Sequence, residues 1–206
     1  MYYADVIRHF GAFGFFELPN LMAFTQEKKA SVLQTLHRWG KRGWIIPVRR
    51  GFYAFPEDIA RNPITPETAA NQILKDSYVT GLWRLNQLGL IPEGVMEITN
   101  ATLNNPAEYD TPLGRFTYQH LSPNGFFGYE TVLGGPVPVR IATPEKALLD
   151  FFWWKNIGWT ENEFARWRIQ DPFGKIDHKR LHEFAKRWKQ PRLICAARNL
   201  SRYLAA

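Results

Sequence analysis

One cysteine, Cys195, occurs in 206 residues, and that scarcity excludes an internal disulfide and a zinc site built from several thiolates. Long apolar runs are also missing. No stretch approaches the roughly 20 residues that cross a bilayer, and the opening MYYADVIRHF lacks the pattern of a signal peptide. The expectation is a cytoplasmic protein with no membrane partner. Catalytic constellations are thin. His178 and His182 lie at i and i+4 with Glu183 adjacent, but a helical zinc-peptidase signature needs Glu directly after the first His, where Lys179 stands. His37 and His120 have no paired nucleophile at recognisable spacing. Asp110, Glu130, Glu145 and Lys146 would need a fold their spacing does not show to serve as a nuclease metal set. Gly125, Gly128, Gly134 and Gly135 match neither a phosphate loop nor a dinucleotide fingerprint and read as turns. No enzyme, no metal and no other cofactor is expected.

What the chain does have is core material, with 45% hydrophobic and 15% aromatic residues, enough for a small domain joined to a medium one. Its charge is divided unevenly. Residues 1 to 55 hold eight Lys/Arg against three Asp/Glu, net +5; residues 56 to 150 hold six against eleven, net −5; residues 151 to 206 hold twelve against five, net +7. A basic first segment fits phosphate contacts, which are mostly electrostatic and weaken with salt.

Within that first segment, TQEKKASVLQTLHRWGKRGWIIPVRRGFYAF reads as helix, stop and hairpin. Val32, Leu36 and Trp39 form an apolar stripe at helical spacing. Lys28, Lys29, Ser31, Gln34, Thr35 and Arg38 lie off it and are the candidate DNA-contacting residues of the helix. Thr25 is the expected N-cap, and Gly40 and Gly43 the stop. Residues 44–48 and 52–55 read as two strands, with Arg49, Arg50 and Gly51 turning between them; Arg49 and Arg50 are the candidate contacts of this wing. Upstream, residues 3–10 form an expected helix and Leu18, Leu21 and Met22 the apolar side of another.

Prolines at 56, 63 and 66 mark a linker at about 57–66. Beyond it, residues 66–75 and 78–88 read as helices. The runs MEITNATL, GRFTYQHL, GFFGYETVL and VPVRIA read as strands of an antiparallel sheet. Thr143 and Pro144 open a helix that carries Ala147, Leu148, Phe151 and Phe152 inward. Glu145 in its first turn and Lys146 with Asp150 at i+4 suggest surface electrostatics of a few tenths of a kcal/mol each. The remainder reads as helical, broken near 171–174 and at Pro191. The fold class expected is α+β: an N-terminal winged helix-turn-helix over 1–60, then a larger mixed α/β domain over 61–206 with an antiparallel sheet and C-terminal helices.

KRGWIIPVRRGFYAF, SYVTGLWRLNQLGLIPEGV, TPLGRFTYQHL and RIATPEKALLDFF, in this order and at these separations, resemble the AbiEi family of abortive-infection antitoxins. The resemblance spans roughly Phe15 to Trp154, and RIATPEKALLDFF is its most specific part. It implies a type IV toxin-antitoxin antitoxin that represses its own operon, its winged helix binding inverted repeats in the promoter. It also implies a C-terminal domain that counteracts a nucleotidyltransferase-type toxin without a stable complex. Its DNA contacts map onto the residues already named, Lys28 to Arg38 on the helix and Arg49 and Arg50 on the wing. The alternative is a free-standing winged-helix repressor with no toxin partner.

Overall fold

The computed structural model describes residues 1–205 except Gly134 and Pro136, so the turn expected at Gly134 lies outside the described residues. The chain is α+β. It begins with α1 (Tyr3–Phe10), β1 (Phe15–Glu17), α2 (Leu18–Phe24), α3 (Lys29–Lys41), β2 (Ile46–Arg49) and β3 (Phe52–Ala54). The strands form an antiparallel sheet in the order β1-β3-β2. Strand β1 escapes the sequence pattern because three residues are too few to display alternation; its pairing with β3 defines it. Val6 and Phe10 of α1, Leu21 of α2, and Val32, Leu36 and Trp39 of α3 close one core over Phe16 and Phe55.

Helix α3 starts later than Thr25 predicts. Thr25 caps the end of α2 instead, and its Oγ1 accepts from the Glu27 backbone N–H at 3.3 Å, a local bond that competes with helix initiation. The first helical residue is Lys29, and the N-cap Lys28 makes no side-chain cap bond. The C-terminus runs through Gly40 and stops at Gly43, whose φ of +70° is the left-handed turn of a Schellman motif. Gly43 N–H bonds the Gly40 carbonyl (3.1 Å) and Trp44 N–H the Trp39 carbonyl (3.0 Å), which satisfies two carbonyls the helix end would strand. The chain then enters the hairpin, whose tip at Arg50 and Gly51 is tied to α2 by Leu18 N–H donating to the Gly51 carbonyl (2.8 Å).

The rest comprises α4 (Pro66–Ile73), β4 (Ser77–Val79), α5 (Gly81–Gln87), β5 (Glu97–Thr102), β6 (Ala107–Thr111), β7 (Gly114–His120), β8 (Tyr129–Val132), β9 (Val139–Ala142), α6 (Pro144–Lys155), α7 (Glu161–Arg166), α8 (His178–Trp188) and α9 (Pro191–Ala205). Its six-stranded sheet runs β6-β7-β5-β4-β9-β8 and is mixed, not antiparallel throughout: β5 with β7, and β4 with β9, are parallel. For β5 and β7 the reason is the tight hairpin at 111–114, which folds β7 back on β6 and inserts it beside β5. Alternation along a strand reports a buried face, not the direction of its neighbour. Tyr78 and Val79, expected in a helix, lie in the buried strand β4, and α5 begins only at Gly81.

Successive residues of the strands point to opposite faces. Tyr78, Ala101 and Ala142 pack with α5, α6, α8 and α9. Val79, Ile98, Phe116 and Tyr118 pack on the other side with α4 and with Phe15, Val48, Phe52 and Ala54 of the first sheet. The segment 57–66 therefore separates two sheets that share a hydrophobic core. Lys75 pairs with Glu17 across this junction at 3.0 Å. Among the described residues no helix is long and apolar enough to cross a membrane.

Candidate nucleic-acid interface

Helix α3 buries Val32, Thr35, Leu36 and Trp39, the i, i+3, i+4, i+7 stripe of an amphipathic helix. Thr35 thus belongs to the inner face: it is 8% exposed, and its Oγ1 accepts from Arg38 Nη2 at 3.1 Å. Its burial does not fit the exposed position expected of a candidate contact. Its role is to steady Arg38, whose side chain stays exposed. Lys28, Lys29, Ser31 and Gln34 are exposed as expected. Ser31 Oγ donates to Glu27 Oε2 at 2.8 Å, and Glu27 also holds the amino-terminal ammonium. These two bonds, the ammonium first, keep the Glu27 carboxyl below its ordinary pKa, so the one acidic residue at the start of α3 is already neutralised.

Two residues on the outermost line are absent from the candidate set. Ala30, Gln34, His37 and Lys41 recur at i, i+4, i+7 and i+11, opposite the buried stripe, and all four are exposed. His37 and Lys41 therefore stand farther forward than Ser31. The signal that finds them is the angular opposite of positions 32, 35, 36 and 39, once Thr35 is counted with the core.

The hairpin divides its two arginines. Arg50 is exposed at the tip. Arg49 is half-buried, its guanidinium 6.0 Å from the Phe52 ring centroid and its Nη2 donating to the Gln72 carbonyl of α4 at 3.5 Å. It points to the second half of the chain, because the Phe52 ring and the Gln72 carbonyl hold its guanidinium there; it therefore does not stand free at the tip as the candidate wing contacts are expected to. Near the hairpin base, Tyr3 stacks on Trp44 and bonds its carbonyl, and Arg42 lies 5.1 Å above the Trp44 ring. Among the described residues, none of Lys28, Lys29, Arg38, Lys41, Arg42 and Arg50 has a carboxylate within 4.0 Å. A basic face free of internal anions is the electrostatic condition for phosphate binding.

The polar residues of RIATPEKALLDFF have a different setting from the surface one their spacing suggests. Glu145, Lys146 and Asp150 are all fully buried. Lys146 and Asp150 form an ion pair; Asp150 Oδ2 accepts from Tyr78 OH (3.0 Å) and Thr80 Oγ1 (2.7 Å). Lys146 Nζ lies 4.0 Å from the Trp188 ring centroid. Burial raises the Asp150 carboxyl and lowers the Lys146 ammonium from their ordinary values, and mutual attraction opposes both shifts. Glu145 accepts a two-pronged contact from Arg180 (2.8 and 2.9 Å) and a bond from Asp177 N–H (2.8 Å), which fixes the start of α8. The run is an internal strut between α6, β4 and α8. Sequence spacing gives the i, i+4 pair but not its burial, because α8 arrives from thirty residues downstream.

Glu145 and Lys146 are thereby committed to α8 and Asp150. Asp110 lies on β6 beside Arg115 and Glu130 on β8, in strands at opposite edges of the sheet. Among the described residues no three His, Cys, Asp or Glu side chains are grouped to hold a metal. His178 and His182 instead share the Ser201 hydroxyl of α9, at 2.9 and 3.2 Å. The chain matches no known family model, and no curated protein matches it.

Proposed function

We propose that this chain is a cytoplasmic DNA-binding antitoxin of the AbiEi kind, which represses its own operon through α3 and counteracts a nucleotidyltransferase-type toxin through the region beyond residue 60. The observation that carries the DNA half is the outer face of α3, where Lys29, Gln34, Arg38 and Lys41 are exposed and, among the described residues, free of carboxylate partners, on a helix held by a closed core. In this reading Gln34 and Arg38 carry the donors for base edges, adenine for Gln and guanine for Arg. Lys28 and Lys29 at the helix start hold phosphates, and Arg50 reaches backbone beside the groove. The toxin half is supported by the ordered run of segments that resemble the family. Since Glu145, Lys146 and Asp150 are spent on internal bonds, antitoxicity is assigned to the surface of this region.

The test uses the full chain. Titration onto its own promoter is compared with Gln34→Ala, Arg38→Ala and Lys29→Gln, alongside growth rescue when each is co-expressed with a neighbouring toxin gene. The expected result is that Gln34→Ala and Arg38→Ala lose about 1–3 kcal/mol of discrimination, that Lys29→Gln weakens all sequences alike, and that rescue survives in all three. Promoter binding without rescue by the unaltered chain would leave a free-standing repressor. Failure of the unaltered chain to prefer its promoter would remove α3 as a reader of sequence.

A further inference from the structure

A second concentration of positive charge lies away from α3. Residues 178–205, the α8 and α9 pair, hold eight Lys/Arg and one carboxylate, Glu183. Three of the eight are engaged internally: Arg180 on Glu145, Arg187 over the Phe127 ring at 4.2 Å, and Arg192 over the Trp153 ring at 4.0 Å. Lys179, Lys186, Lys189, Arg198 and Arg202 are exposed and, among the described residues, have no carboxylate within 4.0 Å.

Part of this charge follows one seam. His178, His182 and Lys186 recur every four residues on α8, a row about 12 Å long at 1.5 Å per residue. Across the seam, α9 contributes Ser201, whose Oγ meets both imidazoles, and Arg198. Burial, first, lowers the His182 pKa, and His178, Lys186 and Arg198 all act on it in the same direction. Cations, imidazoles and a hydroxyl thus lie along one line, and Glu183, the one carboxylate of the two helices, forms no ion pair with them among the described residues.

We propose that the α8–α9 seam is a second nucleic-acid surface, which takes the phosphate backbone without reading sequence. Two observations favour a phosphodiester over a protein partner. The groups present suit phosphate oxygens, and none of the large apolar side chains found exposed among the described residues lies on either helix, whereas protein interfaces are centred on apolar and aromatic anchors. The surface is also distinct from the α3 face: α8 and α9 cover one side of the six-stranded sheet, and the N-terminal sheet packs on the other. This inference stands independently of operator recognition by α3.

The experiment measures affinity of the full chain for a random-sequence duplex, and for a single strand of equal length, at several salt concentrations. It compares the unaltered chain with Lys186→Gln/Arg198→Gln and with Lys29→Gln/Arg38→Gln. All four positions are exposed, so both variants are expected to fold, which thermal unfolding checks. Loss of two phosphate contacts lowers the salt slope by about 1.8 on the duplex and about 1.4 on the single strand, roughly tenfold and sevenfold in affinity change between about 50 and 200 mM salt. That drop in the α8–α9 variant, on either probe and added to the effect of the α3 variant, is the expected result. A drop in the α8–α9 variant alone keeps this surface and removes α3. A drop confined to the α3 variant, or no binding of the unaltered chain at low salt, overturns the proposal.

Discussion

Breaking the Lys146–Asp150 pair has a calculable cost. Both side chains are fully buried, and Asp150 also serves Tyr78 and Thr80. Removing one partner strands the other in an apolar setting, at about 3–5 kcal/mol. In a chain of this size that is a fall of roughly 6–20 °C in Tm. Lys146→Met leaves a carboxylate among rings, and Asp150→Asn leaves an ammonium against Trp188. The double variant removes both charges while Asn still accepts from Tyr78 and Thr80, and is expected to cost only about 1–2 kcal/mol. Urea unfolding of the two singles and the double gives the coupling energy, expected to be at least about 3 kcal/mol in favour of the pair. The singles should also differ in pH dependence. With its carboxyl pKa raised, Asp150 alone makes the Lys146→Met deficit grow as pH climbs from the ordinary 3.8 through the raised value. With its ammonium pKa lowered, Lys146 alone makes the Asp150→Asn deficit shrink as pH climbs from the lowered value toward 10.5. Additive singles, or a single that costs less than about 1 kcal/mol, would refute the account of a buried, mutually dependent pair.

Three more outcomes follow from the same packing. Arg180→Ala strands the Glu145 carboxylate and should cost about 2–3 kcal/mol, with Arg180→Lys recovering only part because an ammonium cannot supply both bonds; chemical denaturation decides, and full recovery by Lys would contradict the two-pronged geometry. Gly125→Ala places a Cβ 2.6 Å from the buried Trp188 ring and should destabilise by about 1–3 kcal/mol through overpacking; an unchanged Tm would mean the ring is free to shift. The lowered His182 pKa contributes stability that is fully present above pH 6.5 and lost as pH falls through the lowered value. Thermal unfolding between about pH 8 and 5 should therefore show a steeper acid loss for the native chain than for His182→Gln, and parallel curves would refute the shift.

The pattern of burial on α3 was legible in sequence except at one place. Val32, Leu36 and Trp39 announce the inner stripe, and Gly43 announces the stop because only a left-handed residue closes the helix there. Thr35 departs from the pattern because a threonine is polar by composition and inward by angle. Arg49 and Arg50 look alike as neighbours in a turn. They differ only because α4, a separate element, offers the Gln72 carbonyl to one of them.

By itself the sequence determined the local grammar: amphipathic α3, its Schellman end, the hairpin, the Thr143 cap on α6 and the uneven charge along the chain. These depend on neighbours within one or two helical turns, and short-range sterics and hydrogen bonds settle them. Tertiary structure alone decided the parallel pairings, the core shared by the two sheets and the burial of Glu145, Lys146 and Asp150. It also decided the meeting of His178 and His182 with Ser201. Each of those joins groups far apart in the chain, where desolvation and charge are set by whichever element arrives to cover them, and no local spacing encodes that arrival.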